Sequence, residues 1–246
     1  MAVRLKGKSV REILTEMRQQ RLSVKNPPHI LFLGPKWRGS DARALAEAFR
    51  ARDCVVTEVD YEDFFPQYWS GFALKAVRRL CRPLFVRDYN RVVTAYANNE
   101  AFDFVLVFKG MLLEAETLRQ FHVPLYCMYP DVSFTDHGGN IWECLPLYDC
   151  VFTTKACHEA DPAFRQHVRD FRKVRHGADP HVHRPVDAAS ENHGPYACDV
   201  AFVGCWSSKK EKLIRGLTEK MPGVDLKIWG PGWRRSDAAV QRHWQG

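Results

Sequence analysis

The amino-acid sequence predicts an α/β protein made of repeated strand–helix units on a mostly parallel sheet. Short continuous apolar runs, among them ILFLG, FDFVLVFKG, PLYCMYPD and CVFTTK, end in glycine or a polar residue, as strands buried on both faces do. Segments of helical composition lie between them, DARALAEAFRAR the clearest. Strands that alternate with helices imply parallel pairing through right-handed crossovers.

In chain order, residues 9–22 (SVREILTEMRQQRL) set Val10, Ile13, Leu14, Met17 and Leu22 near one face. That pattern predicts an amphipathic helix, stopped by Asn26-Pro27-Pro28. ILFLG is the first strand. After the loop PKWRGS comes the helix DARALAEAFRAR, with Ser40 as its N-cap, and then the strand CVVTEVDY. A basic helix or helix pair spans about 71–99 and precedes the strand FDFVLVFKG. EAETLRQF is a short helix and PLYCMYPD the fourth strand. Past a short stretch around WECLPLY follow the strand CVFTTK, the helix HEADPAFRQHV, and FRKVRHG leading into a further short strand.

The turn-rich stretch PVDAASENHGPYA, residues 185–197, reads as a linker. DVAFVG restarts the cycle, with a helix over about 208–220 and the strand DLKIWG. The organisation predicted is a basic amphipathic helix at 1–25, a first domain at 26–186, a linker at 187–198 and a partial second domain at 199–246. So short a second domain buries little apolar surface by itself, so it reads either as incomplete or as an extension packed on the first.

Composition narrows the class. The chain has 246 residues, 46% of them hydrophobic, enough for one large domain or one domain plus part of another. No apolar run approaches the roughly 18 residues of a membrane span. The amino terminus MAVRLKGKSVREIL is charged throughout and lacks the apolar stretch of a secretory signal, which predicts a cytoplasmic protein. The eight cysteines include no C-x-x-C pair. Cys54, Cys127, Cys150 and Cys205 sit in or beside apolar runs and read as small buried hydrophobes in a reducing compartment, with metal or redox roles as the alternative.

The net charge of +7 is uneven. Residues 1–25 carry seven Lys/Arg against two Glu, and residues 75–91 carry six basic residues against one Asp. Lys75, Arg78, Arg79 and Arg82 fall at helical spacing. Their stripe reads as a solvated helix face, or as attraction to an anionic membrane surface or polyanionic acceptor. No nucleic-acid motif accompanies it, so no nucleic-acid partner is expected.

Ligands of open α/β sheets collect at the carboxyl ends of parallel strands, here the loops after Gly34, Gly110, Asp131, Lys155, Gly204 and Gly230. The loop Gly34-Pro-Lys-Trp-Arg-Gly39-Ser40 lacks the lysine of a phosphate-gripping P-loop, and no G-x-G-x-x-G follows the strand, which excludes an NTPase and weighs against a dinucleotide oxidoreductase. Gly34 and Gly39 allow either a close ligand or a plain tight turn. MYPDVSFTDHGGN places Asp131, Asp136 and His137 in one polar loop, which offers a general base for an attacking hydroxyl or is a surface loop with capping aspartates.

His176, Asp179, His181 and His183 in HGADPHVH could be metal ligands. Pro180 breaks the segment, and a turn near the interdomain cleft is the preferred reading, with no metal assigned. In Gly204-Cys-Trp-Ser207-Ser208-Lys209-Lys210 a strand ends in glycine and runs through serines into a helix start. Free N–H groups and the helix dipole favour a phosphate there, and Lys209 or Lys210 could neutralise a diphosphate; a solvated, capped helix start is the alternative. Gly230, in Trp229-Gly-Pro-Gly-Trp233, adds a glycine-rich turn flanked by aromatics.

Taken in order over roughly residues 100–233, CVFTTKACHEA, VRHGADPHVHRP, DVAFVGCWSSKKEKLIRGL and LKIWGPGW resemble the CgeB-like (spore maturation protein) glycosyltransferases, a bacterial group with the GT-B fold. The resemblance implies two Rossmann-type domains and sugar transfer from a nucleotide-sugar donor to an unidentified acceptor, with no cofactor or built-in metal. It implies that Gly204, Lys209 and Lys210 meet the donor diphosphate and that Asp131 or His137 faces the acceptor; Ser207 and Gly230 complete the expected donor-binding residues. The family continues into further strand–helix units and an acidic segment that holds the donor ribose. This sequence stops at Gly246, so an open donor pocket and weak or absent turnover are expected of it. A non-catalytic α/β binding module derived from such an enzyme is the competing expectation, and a peripheral membrane protein anchored by residues 9–22 and 75–82 is a third.

Overall fold

Beta-strand 1 (β1, His29–Leu33) and the strand that lies two positions away in sequence order, β3 (Phe104–Phe108), run side by side in a six-stranded parallel sheet. The computed structural model describes residues 27–65, 72–99, 101–135, 140–183 and 196–246. Its chain divides into two compact units between His183 and Arg184.

The first unit runs β1, helix α1 (Asp41–Arg50), β2 (Val55–Val59), α2 (Phe72–Leu80), α3 (Arg82–Asn99), β3, α4 (Ala115–Arg119) and β4 (Leu125–Tyr129). It continues with α5 (Ile141–Cys144), β5 (Cys150–Thr153), α6 (Ala156–Ala160), α7 (Pro162–His167) and β6 (Phe171–Lys173). The strand order is β2-β1-β3-β4-β5-β6, and every pairing is parallel. The direction of winding therefore reverses between β1 and β3, the place where open α/β sheets leave a crevice at their carboxyl edge.

Alternation along the strands decides the two cores. Leu31, Leu33, Val105, Val107, Cys127, Tyr129 and Val151 face one side, where Tyr89 and Val93 of α3 and Leu118 of α4 cover them. Ile30, Phe32, Phe104, Leu106, Phe108, Tyr126 and Cys150 face the other, against Ala42 and Ala46 of α1. Each large apolar side chain buried in this way contributes about 1.5–3 kcal/mol. The small alanines bring α1 close to the sheet. Ser40 caps this helix as predicted, its hydroxyl oxygen accepting from the Ala42 N–H at 3.2 Å.

Two local expectations change. HEADPAFRQHV forms two helices rather than one, because Pro162 has no N–H to continue the first and Asp161 caps the second by accepting from Ala163 N–H at 2.9 Å. The last strand of the sheet is Phe171–Lys173 itself, not a segment beyond FRKVRHG.

The second unit contains β7 (Val200–Val203), α8 (Ser208–Lys220), β8 (Leu226–Trp229) and α9 (Ala238–Gln241), with β7 and β8 parallel. Its core is Ile214, Leu226, Ile228, Trp233 and Val240. After α9 the chain runs alongside β8: Ile228 N–H donates to His243 O at 2.9 Å and Gln245 N–H to Ile228 O at 2.8 Å, so Trp244 bridges Ile228 in the parallel sense. Neither α9 nor this third parallel line is signalled by apolar runs. No described helix is long and apolar enough to cross a membrane. The predicted helix at 9–22 lies outside the described residues.

Candidate functional site

The carboxyl edge of the first unit gathers the loops after β1, β2, β3, β4 and β5. Gly34 ends β1, and a Cβ there would sit 2.9 Å from Phe108 Cβ, so the glycine lets β1 and β3 leave the sheet in close contact. Gly39 has φ 89°, a conformation that favours glycine, and sets the turn before Ser40. Asp60, buried at the end of β2, ties the two loops together: its carboxylate accepts from Lys36 N–H and Glu62 N–H, both at 2.8 Å. Lys36 also pairs through Nζ with Asp63. Glu62 lies beside them, its carboxyl raised above the usual range by burial first and by Asp60 and Asp63 second.

The loop after β3 begins with two consecutive left-handed residues, Lys109 (φ 66°) and Gly110 (φ 75°). Non-glycine residues are costly there and persist where the surroundings hold them. Lys109 is held on both sides. Its N–H donates to Met128 O at 3.0 Å, and its Nζ pairs with Asp131 Oδ2 at 2.7 Å. The next turn of the loop is clamped by the buried Asn90, which donates to Leu112 O at 2.8 Å and accepts from Glu114 N–H at 2.9 Å.

Asp131 lies on a loop whose backbone carbonyls are pinned in succession. Thr154 Oγ1 donates to Pro130 O at 3.2 Å, His158 Nε2 to Val132 O at 2.8 Å, and Tyr129 OH to Ser133 O at 2.5 Å. Because a carbonyl only accepts, Nε2 carries the proton. Nδ1 then accepts from the Thr153 hydroxyl at 2.7 Å, and that hydroxyl accepts from Lys155 N–H at 3.1 Å. Phe134 stacks on His158 with ring centroids 4.5 Å apart and on Phe164 at 5.3 Å. The loop is thus rigidly tied to β5 and α6.

Of the residues predicted for this edge, Gly34, Gly39 and Asp131 lie at the carboxyl ends of β1 and β4, on either side of β3. Asp136 and His137 lie outside the described residues. His176 is exposed, on the segment after β6. Asp179 forms a self-contained turn: its Oδ1 accepts from His181 N–H at 2.8 Å, and its carbonyl accepts from His183 N–H at 2.7 Å. Among the described residues no three His, Cys, Asp or Glu side chains converge as a metal site would require. Lys109, Asn90, Thr154 and His158 are missing from the sequence reading. Lys109 leaves a trace in the Lys-Gly that ends FDFVLVFKG, and Thr154 and His158 lie within CVFTTKACHEA without being singled out.

In the second unit the loops after β7 and β8 are locked to each other. Gly204 N–H donates to Trp229 O at 2.9 Å, Trp206 N–H to Pro231 O at 2.9 Å, and Trp233 Nε1 to Gly204 O at 2.8 Å. Gly230 has φ 127°, and a Cβ there would come within 2.5 Å of Gly204 O. Close approach of backbone to backbone therefore accounts for Gly230. Gly204 has ordinary space around it, with Phe202 at 3.4 Å and Lys210 Nζ at 3.7 Å from an added Cβ.

Ser207 caps α8, its Oγ accepting from Lys210 N–H at 3.4 Å. Lys210 curls back so that Nζ donates to Cys205 O at 3.0 Å, which holds its ammonium at the loop; Lys209 and Lys210 are both exposed. Glu211, in the first turn, gathers Trp206 Nε1 (2.7 Å), Asp237 N–H (3.0 Å) and Arg215 (3.2 Å). The Asp237 N–H, then the Trp206 indole, lowers its carboxyl below the usual range. A glycine, a capped helix start and a positioned ammonium at the carboxyl end of a parallel strand make a loop able to receive an anionic ligand. Cys205, expected to be buried, is exposed at the start of this loop, while Cys127, Cys144 and Cys150 are buried and all eight cysteines are free thiols.

A six-stranded parallel unit followed by a second parallel β–α–β unit is the GT-B-like α/β fold class that the sequence predicts. No family model matches the chain and no curated protein matches it in sequence. Among solved structures, the chain is similar to the sucrose-phosphate synthase from Thermosynechococcus elongatus (TM-score 0.58, 18% identity), covering 87% of this chain and 65% of that one. It is more loosely similar to a UDP-glucose:anthocyanidin 3-O-glucosyltransferase solved in complex with UDP (TM-score 0.48, 13% identity, 86% of this chain and 74% of that one). The same holds for Phytolacca americana UGT2 solved with UDP-2-fluoro-glucose and pterostilbene (TM-score 0.46, 11% identity, 83% and 66%). At such identities the likeness is one of fold, and the weight rests on the synthase. The chain spans just under two thirds of the length of the synthase.

Proposed function

We propose that the chain belongs to a nucleotide-sugar glycosyltransferase of the CgeB-like kind, with the loop 204–210 receiving the donor diphosphate and the Asp131 loop facing the acceptor. One observation carries most of the proposal. The carboxyl end of β7 meets a capped helix start, with the Lys210 ammonium held at the loop, in a fold shared with a sugar-transferring synthase over 87% of the chain.

The chemistry asks for two things: a base for the acceptor hydroxyl, and positive charge or N–H dipoles at the departing phosphate. The acceptor oxygen bonds to the anomeric carbon as that carbon's bond to the phosphate oxygen breaks. The hydroxyl proton passes to the base, assigned to Asp131 or His137, and the nucleoside diphosphate leaves with the electron pair. Lys209 and Lys210 stabilise the leaving diphosphate, and Gly204 lets it approach the backbone.

The test is release of nucleoside diphosphate from a panel of nucleotide-sugars, with binding measured in parallel. The double variant Lys209→Ala/Lys210→Ala is expected to lose roughly tenfold or more in donor affinity, as the loss of charge-assisted hydrogen bonds implies. Donor binding without turnover in the unaltered chain would favour the binding-module reading. Unchanged donor affinity in the double variant would refute the assignment of this loop.

A further inference from the structure

We infer that α2 is an interfacial helix by which the protein docks on an anionic lipid bilayer. This does not depend on the transferase reading. In the first unit α2 is the one described helix of eight or more residues that buries no residue of its own: Phe72 is 91% exposed and Leu80 82% exposed, with Leu74, Val77 and, at the start of α3, Leu84 also uncovered. With about 3.6 residues per turn, Phe72, Ala73, Ala76, Val77 and Leu80 share one face of the helix, and Lys75, Arg78 and Arg79 share the other.

A helix normally buries its apolar face in the core. Here the core is already covered by α3, whose Tyr89 and Val93 are buried against the sheet. The segment is secured to the unit from its polar side and its flanks: the Arg78 guanidinium lies 5.4 Å over the Phe65 ring, and Phe65 meets Phe85 edge-on at 5.9 Å. The fold therefore presents the apolar face outward while holding the helix in place.

Charge selects the occupant. From residue 64 to residue 86 the sequence has Lys75, Arg78, Arg79 and Arg82 and no Asp or Glu, and Arg87 pairs with the adjacent Asp88 at 3.9 Å. An apolar strip beside Lys75, Arg78, Arg79 and Arg82, with no carboxylate in the same stretch, suits neither a neutral protein groove nor a second copy, whose own four basic residues would be brought against these. It suits a surface with an acyl interior and anionic headgroups, where apolar side chains sink to the headgroup–acyl boundary and lysine and arginine lie among phosphates.

The experiment is co-sedimentation of the full chain with phosphatidylcholine vesicles and with the same vesicles doped with phosphatidylglycerol, at low and high salt. Binding is expected only to the doped vesicles and is expected to weaken with salt. Lys75→Gln/Arg79→Gln should weaken it by about fivefold per basic residue removed. Phe72→Ser/Leu80→Ser should reduce it further, with the thermal unfolding of both variants unchanged because these side chains are exposed. Absence of binding to doped vesicles at low salt would overturn the inference. So would binding that the α2 variants leave intact, since the basic residues 1–25 would then be its source. A self-associated chain that Phe72→Ser/Leu80→Ser returns to monomer, without vesicle binding, would assign the face to a second copy instead.

Discussion

Lys109 and Asp131 form an ion pair at 2.7 Å across the adjoining ends of β3 and β4, and Lys109 holds a left-handed backbone, φ 66°, while doing so. The pairing joins the loop that follows the central strand to the loop that carries the candidate base. Both side chains are partly exposed, so the pair itself adds little stability.

The backbone strain gives this relationship a measurable consequence. Lys109→Ala keeps the left-handed conformation and loses the pair, whereas Lys109→Gly loses the pair and relieves the strain. The glycine variant is expected to be about 1 kcal/mol more stable than the alanine variant in urea denaturation. Equal stabilities would mean that the strain is not stored there.

Gly204 and Gly230 should separate cleanly. Gly230→Ala forces a Cβ to within 2.5 Å of Gly204 O at φ 127°, and is expected to destabilise the second unit by about 2 kcal/mol or more. Gly204→Ala meets only ordinary contacts, so it should leave thermal unfolding nearly unchanged and act, if at all, on donor affinity.

The fold was legible because the signals were local. ILFLG, FDFVLVFKG and PLYCMYPD are too short for helices and too uniformly apolar for half-exposed strands, and the structure makes them β1, β3 and β4 of a parallel sheet. What was not legible depends on contacts between distant parts of the chain. His158 reads as one histidine in HEADPAFRQHV. Its role as the clamp on Val132 O exists only because parallel pairing sets β4 beside β5. Gly230 reads from sequence as part of a glycine-rich turn, and its contact with Gly204 O follows only from the β7–β8 register.

His158→Phe tests that clamp. The substitution leaves the buried Thr153 hydroxyl without its acceptor, at a cost of about 1–3 kcal/mol, and releases the part-buried Val132 carbonyl. Amide hydrogen exchange over residues 131–135 is expected to accelerate relative to β3, while His158→Gln, which can still donate and accept, should restore part of the protection. Uniform acceleration across the whole unit would indicate general destabilisation rather than a loosened loop.

Acid should act on the second unit through Glu211. Its folded carboxyl titrates below the usual range, so it contributes stability above the unfolded pKa and loses that contribution as pH falls through the lowered folded value. Stability measured by thermal unfolding should therefore decline below about pH 4.5, and Glu211→Gln should remove that component of the decline. A variant with the full acid response would exclude Glu211 as its source.

Thiol chemistry offers a check on burial. Cys157 and Cys205 are exposed, and alkylation at neutral pH should reach them first. Cys144 and Cys150, pushed up to about 12 chiefly by burial, and Cys127, pushed higher still, should react only on unfolding.

The most direct test of the central claim is a calorimetric titration of the chain with nucleoside diphosphates, UDP first, alongside Lys209→Ala/Lys210→Ala. Saturable binding of a diphosphate that the double variant weakens tenfold or more is the predicted result, about 1.4 kcal/mol for each factor of ten. No binding of any nucleoside diphosphate, or binding that the variant leaves unchanged, would contradict the placement of a nucleotide-sugar donor at the loop between β7 and α8.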